Sequence, residues 1–238
     1  YRGAGKRLPA RMEKDGVVVH RVWSTQFDKN RTLGRILNTA TFAISSFFAA
    51  LFFRRPGMFI AVTNPPLLPW VAALAGLLRG VPCVLLIHDV YPQIAVALGR
   101  VRQGSLVDRL WGVLNRWAYR RSERIIALGE CMADVLRKEL PPQKRDRVVV
   151  IPNWADGESI QPRPAESHPF LEEAGLQNKF VIQYSGNIGL FHEIETIAHA
   201  AELLRDIPDI HFLFIGDGAQ LPWLRDYVSK NHLENVTF

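Results

Sequence analysis

Apolar positions along the first two thirds of the chain form short runs separated by helical patterns. Residues 58–63, 81–87, 124–128 and 148–151 are apolar at nearly every position, and 17–23 alternates enough to read as a strand. Strands without a polar face indicate a parallel sheet covered on both sides. Between them, 33–53, 66–79, 105–121 and 130–139 carry helical spacing. In the third of these, Leu106, Leu110, Leu114 and Trp117 fall on one stripe, as in an amphipathic helix. The pattern breaks at Pro152. Residues 152–169 hold Pro152, Pro162, Pro164 and Pro169 with little apolar order, which reads as a linker. The rhythm then restarts: strand 180–185, helix 193–205, strand 210–215, helix 219–230, and the start of a strand at 235–238. The expected fold class is α/β, with two Rossmann-like sheet domains. The first covers 1–152, the linker 153–177, and the second opens at 178–238. Barely two β–α units follow the linker, too few for an ordinary parallel domain. No repeat of fixed period appears.

One run departs from this picture. Residues 40–53 are apolar over 14 positions, short of the ~20 that cross a bilayer. They read either as a buried helix packed on a sheet or as a helix lying in a membrane interface, anchored by Arg54 and Arg55.

Composition narrows the class. With 238 residues and 48% apolar content the chain can build a core, and nothing suggests disorder. A formal net charge of +6 and a pI near 9.6 fit an anionic partner, whether nucleic acid, nucleotide or acidic membrane, and equally a solvated basic surface. No nucleic-acid-binding motif is visible. Arg109, Arg116, Arg120 and Arg124 fall along another side of the 105–121 region; such a stripe suits lipid head groups or plain solvation. Cys83 and Cys131 are the only cysteines, which reads as a reduced, cytosolic protein. Residues 1–16 are polar and basic, without the apolar segment of a signal peptide.

Candidate chemistry lies at the ends of strands, where open parallel sheets bind ligands. His88 and Asp89 directly follow the strand ending at Ile87. A histidine there can bond a sugar hydroxyl or manage a proton, or simply cap a turn. Asp89 can orient His88 or cap the next turn. Asn64, in Thr63-Asn64-Pro65-Pro66, ends another strand; it can reach a ligand or serve the turn alone. Gly186-Asn187-Ile188-Gly189 joins a strand to a helix, a turn that presents bare backbone N–H groups to a phosphate. Glu193 and Glu195 suit the helix dipole but repel phosphate, so the loop amides must lie ahead of them. Gly216-Asp217-Gly218 repeats the strand-end pattern, or is a tight turn using glycine. No zinc spacing, serine nucleophile elbow or Walker loop occurs. The tryptophans are spread singly along the sequence.

In order, the segments Asp15–Ser24, Val62–Leu67, His88–Gly99, Val150–Asp156, Tyr184–Gly189 and Phe214–Gly218 resemble the family-4 retaining glycosyltransferases of the GT-B fold. The likeness is to the branch that builds bacterial surface polysaccharides, and it covers nearly the whole chain. It implies two Rossmann-like domains facing across a cleft, with the acceptor on the N-terminal one and the nucleotide sugar on the C-terminal one. His88 falls where many members carry a histidine near the transferred sugar, although close relatives often have Arg-Asp there. Gly186 to Gly189 fall on the loop close to the donor diphosphate. Asn187 stands where the family has an arginine, and no lysine occurs between Leu190 and Ile197. The family's first strand and glycine-rich loop would precede Tyr1, and its acidic motif would follow Phe238. The resemblance therefore implies an internal piece with both domains incomplete, inactive alone. For the parent protein it implies sugar transfer, with retention, from a nucleoside diphosphate sugar to a lipid-linked acceptor. The sugar nucleotide is a co-substrate; no cofactor or metal is expected, and no nucleic-acid partner. The expected location is the cytoplasm, peripheral to the inner face of the membrane. A GT-B sugar-nucleotide epimerase and a non-catalytic nucleotide- or membrane-binding remnant are the alternatives.

Overall fold

The computed structural model describes residues 9–28, 31–54, 56–162, 169–189 and 192–238. Tyr1, Arg55, Pro164 and Leu190 lie outside the described residues. The chain divides into two compact units, 1–154 and 155–238.

The first unit opens with an antiparallel hairpin, β1 (Arg11–Lys14) and β2 (Val17–His20). The expected strand at 17–23 thus stops at His20, and its partner β1 carries no apolar pattern. Helix α1 (Thr32–Phe52) follows, then a parallel sheet in which sequence neighbours are spatial neighbours. Its strands are β3 (Phe59–Val62), β4 (Cys83–Ile87), β5 (Arg124–Ala127) and β6 (Val148–Val150). The connections carry α2 (Leu68–Arg79), the short α3 (Gln93–Ala97), α4 (Leu106–Arg121), α5 (Glu130–Lys138) and a 3₁₀ turn, Pro142–Arg147. The core joins Cys83, Leu85 and Ile87 of β4 to Ala72 and Ala73 of α2, Ala118 and Tyr119 of α4, and Ala133 and Leu136 of α5. Burial alternates along β4, so its two faces are unequally covered despite the unbroken apolar sequence.

Three sequence expectations differ from the structure. The apolar run at 40–53 is no buried helix packed on a sheet. It belongs to the 21-residue α1, in which only Gly34 and Ala43 are buried. By length and composition α1 is apolar enough to cross a membrane; the 14-residue count left out Leu33, Ile36 and Leu37, which precede Ala40 around the single charge of Arg35. The stripe on α4 is also not one core face. Leu106 and Leu110 are exposed at 81% and 56%, whereas Asn115, Ala118 and Tyr119 turn inward. The Arg109–Arg124 series is likewise no continuous basic stripe. Arg124 belongs to β5, Arg116 pairs with Glu139 at 3.2 Å and Arg124 with Glu123 at 3.7 Å.

In the second unit β7 (Phe180–Ser185), β8 (Ile210–Ile215) and β9 (Val236–Thr237) form a parallel sheet in that order. Helices α7 (Ile194–Leu203) and α8 (Leu221–Lys230) pack together over it. Their core contains Ile194, Ala198, Phe212, Phe214 and Leu224. Ahead of β7, a short helix α6 (Pro169–Glu173) falls inside the expected linker, and Leu176 behind it is buried.

Candidate functional site

In the first unit the loops after β3 and β4 are held together by one side chain. Thr63, 4% exposed at the end of β3, accepts through Oγ1 from the N–H groups of His88 (2.9 Å) and Asp89 (3.1 Å). A β-branched residue with a single acceptor fits a strand end that must bind a neighbouring loop. His88 is exposed, and its ring has no hydrogen-bond partner among the described residues. Asp89 does not bond the His88 ring, so the expected orienting role is not seen. It lies instead near Tyr91. Burial, and after it the Asp89 carboxylate, raise the Tyr91 phenol above its usual range; the Arg35 guanidinium works against them. Asn64 is exposed beside this loop pair, with no partner among the described residues.

The chain following His88 is fixed from below. Asn115 of α4, 6% exposed, donates through Nδ2 to the Tyr91 carbonyl at 2.6 Å and accepts from Trp70 Nε1 at 2.7 Å. The Tyr91 ring stacks on Trp111, with centroids 5.3 Å apart and planes 4° apart, and Trp70 meets Trp111 edge-on. Tryptophans that look solitary in the sequence are thus assembled into a platform by the packing of α2 on α4. The Trp111 indole N–H is buried without an acceptor among the described residues. Sequence reasoning missed Thr63, Asn115 and this platform. The signal for Thr63 was a hydroxyl residue ending an otherwise apolar strand; Asn115 had none.

In the second unit the two glycine loops interlock. Parallel pairing sets Ser185 of β7 opposite Ile215 of β8, so Gly186–Gly189 and Gly216–Gly218 leave the sheet side by side. Gly186 N–H donates to Ile215 O and Ile188 N–H to Asp217 O, each at 2.9 Å, and Gln220 N–H donates to Ile188 O at 3.0 Å. Two of the four amides expected to be bare are therefore consumed inside the protein. Those of Asn187 and Gly189 have no acceptor among the described residues. Ile188 is fully buried in the core, and its backbone N–H and carbonyl are both bonded within the protein. Gly216 and Gly218 are demanded by contact: a Cβ there would lie 1.9 Å from Gly186 O and 2.3 Å from Ile188 O. Asp217 Oδ1 accepts from Gly218 N–H at 2.8 Å. Tyr184 donates to Asn187 O at 2.9 Å and its hydroxyl also meets His192 Nδ1, while Gln220 Nε2 donates to His192 O at 2.9 Å. Tyr184, His192 and Gln220 shape the loop and were not anticipated. Helix α7 begins only at Ile194, with Glu195 in its first turn, so the loop does lie ahead of the acidic side chains. No group of three His, Cys, Asp or Glu side chains able to hold a metal occurs among the described residues.

Comparison with known proteins decides the family. Residues 2–154 match the model of the glycosyl transferase 4-like domain. The chain belongs to this glycosyltransferase family. Over 216 residues it is 33% identical to the probable glycosyltransferase WbjE of Pseudomonas aeruginosa, covering 87% of the chain and 50% of that protein. Over 214 residues it is 28% identical to the putative colanic acid biosynthesis glycosyl transferase WcaI of Escherichia coli K12, covering 87% of the chain and 52% of that protein. The chain spans about half the length of these curated relatives. Among solved structures it is similar to Anabaena Alr3699/HepE in complex with UDP-glucose, with a TM-score of 0.63 at 18% identity over 88% of this chain and 53% of that one. The α/β fold with parallel sheets is therefore that of GT-B glycosyltransferases.

Proposed function

We propose that this family member transfers a sugar from a nucleoside diphosphate sugar to a sugar or lipid-linked acceptor in the synthesis of a cell-surface polysaccharide. The observation that carries the reading is a likeness spanning nearly nine tenths of the chain to proteins named as glycosyltransferases, one of them for colanic acid. The fold's likeness to a protein crystallised with UDP-glucose supports the donor class. In this reading the first unit serves the acceptor and the second the donor. The reaction retains anomeric configuration and runs on the cytoplasmic side, in keeping with two unpaired cysteines.

The physical demand is to stabilise a departing diphosphate as its negative charge grows. The Asn187 and Gly189 amides, left over from the interlocked loops, are suited to receive one of its oxygens. The Gly216–Gly218 turn, tied to the loop by the hydrogen bond from Ile188 N–H to Asp217 O, keeps them in place. His88, with its backbone clamped by Thr63 and its ring unengaged, is the group on the acceptor unit suited to bond a sugar hydroxyl or carry a proton.

The test is a panel of nucleotide sugars offered to the full-length protein, with product and released nucleotide measured and the product's anomer read by NMR. His88→Ala is expected to lower kcat by about a hundredfold or more. It should leave the melting temperature unchanged, because the ring has no partner to lose. Donor interconversion without transfer would favour the epimerase, and no turnover of any nucleotide sugar would sink the enzyme reading.

A further inference from the structure

Helix α1 is amphipathic in the reverse sense for a helix of a folded unit. Two of its polar side chains, Asn38 and Thr41, are held by residues 25–27, while Thr32 and Arg35 stay exposed. Asn38 Oδ1 accepts from Phe27 N–H and Thr25 Oγ1, both at 2.9 Å; Asn38 Nδ2 donates to Phe27 O at 2.9 Å; Thr41 Oγ1 accepts from Thr25 N–H at 3.1 Å. Its apolar side chains turn outward: Leu33, Ile36, Ile44, Phe48 and Phe52 are 53% to 80% exposed. At 3.6 residues per turn Leu33, Leu37, Ile44 and Phe48 lie within about 60° of arc, so they form one stripe along the helix. Helix α2 packs beside α1 and has exposed leucines of its own, Leu74, Leu77 and Leu78. An exposed apolar stripe of this kind marks an interaction site.

Along the stretch of sequence that carries α1 and α2 the charge has one sign, with Asp28 just ahead of it paired to Arg31 at 3.9 Å. From residue 29 to residue 88 the chain contains no Asp or Glu and carries Lys29, Arg31, Arg35, Arg54, Arg55 and Arg79. These six cations equal the formal excess of +6, so the remainder of the chain is neutral overall.

We propose that the outward face of α1 lies in the plane of an anionic lipid bilayer. An apolar stripe flanked by an excess of cations has the chemistry of a monotopic membrane helix: the stripe enters the acyl boundary while exposed arginines such as Arg54 meet lipid phosphates. Two observations argue against the other occupants. A crossing helix would carry Asn38 and Thr41 into lipid and strip their bonds to residues 25–27. It would also tear the helix end from Arg79, whose guanidinium donates to the carbonyls of Ala50 (2.9 Å) and Phe53. A second copy docked on the same face would bring two surfaces with an excess of cations together. The inference is independent of the sugar-transfer reading, because it concerns a surface to which no step of the transfer is assigned.

The experiment is flotation of the full-length protein with vesicles of phosphatidylcholine alone or with added phosphatidylglycerol. Binding is expected only with the anionic lipid, falling as salt rises. Ile44→Asp combined with Phe48→Asp is expected to weaken it by about tenfold or more. Leu106→Asp combined with Leu110→Asp, equally exposed on α4, is the matched control and should bind as wild type. Arg31→Gln with Arg54→Gln, two exposed positions whose change spares the fold, is expected to cost about fivefold per charge. Alkaline carbonate should release the bound protein. Retention through carbonate would mean a spanning helix. A dimer in light scattering, broken by the α1 variant and without lipid binding, would mean a second copy. Either result, or binding unaffected by both the α1 and the arginine variants, overturns the proposal.

Discussion

Gly216 and Gly189 stand in the same pair of loops yet differ in what a methyl group would meet. At Gly216, with φ +150°, the new Cβ falls 1.9 Å from the Gly186 carbonyl oxygen, a backbone atom held by β7 and β8. At Gly189 it falls 2.4 Å from Asn187 Nδ2, the tip of an exposed side chain that can swing away. Gly216→Ala is expected to destabilise the second unit by about 3 kcal/mol, and Gly189→Ala by about 1 kcal/mol or less. Urea titration of the two variants checks the difference; equal losses would show that the loops do not interlock as described. From sequence alone the two glycines were indistinguishable, because the oxygen that makes Gly216 obligatory comes from a residue 30 positions earlier.

Among the elements, the ends of β3 and β4 depend on each other through Thr63. Thr63→Val preserves the shape of the side chain and removes the only acceptor for two N–H groups. It is expected to cost about 1–3 kcal/mol and to loosen the loop that carries His88, while Thr63→Ser keeps the acceptor and most of the stability. Thermal melts with kcat measured alongside would test this. A Val variant as stable and active as wild type would remove Thr63 from the site. The elements were unevenly legible. Residues 180–185 and 210–215 were readable as strands to the residue, because apolar runs of that length bounded by turn residues have few other readings. Helix α4 was readable as a helix but not as to its buried side. Spacing identifies a stripe, whereas what the stripe meets depends on neighbours; here Ala118 and Tyr119 touch the sheet and Leu106 does not.

For the molecule as a whole, alkaline stability is a direct consequence of the first unit's core. Burial pushes the Cys83 thiol from 9.0 up to about 11, and a bond from Ser122 only partly offsets it. Burial likewise raises the phenol of Tyr119 in the same cluster, with Glu139 adding to the effect. A group whose pKa is raised by folding contributes stability that is complete below its unfolded value and lost as pH climbs through the folded one. Wild type is therefore expected to lose up to about 2–3 kcal/mol through Cys83 between pH 9 and pH 11. Cys83→Ala, less stable at neutral pH from the lost packing, should show a shallower decline over that window, since Tyr119 acts equally in both proteins. Parallel declines in urea midpoint would show that the thiol does not titrate with unfolding.

Apart from β1, α3 and α6, the strands and helices, their order and the family were already written in the order of the amino acids. All of these rest on local periodicity and on short motifs, which act within a few residues. Folding in three dimensions settled the rest: which amides in the glycine loops are spent, that Thr63 and Asn115 hold the loop of His88, that three aromatic rings meet at Trp111, and that α1 turns its apolar side outward. Each of those depends on parallel register and on helix-to-helix packing, which join residues tens of positions apart, and periodicity carries no information about which neighbour occupies a given face.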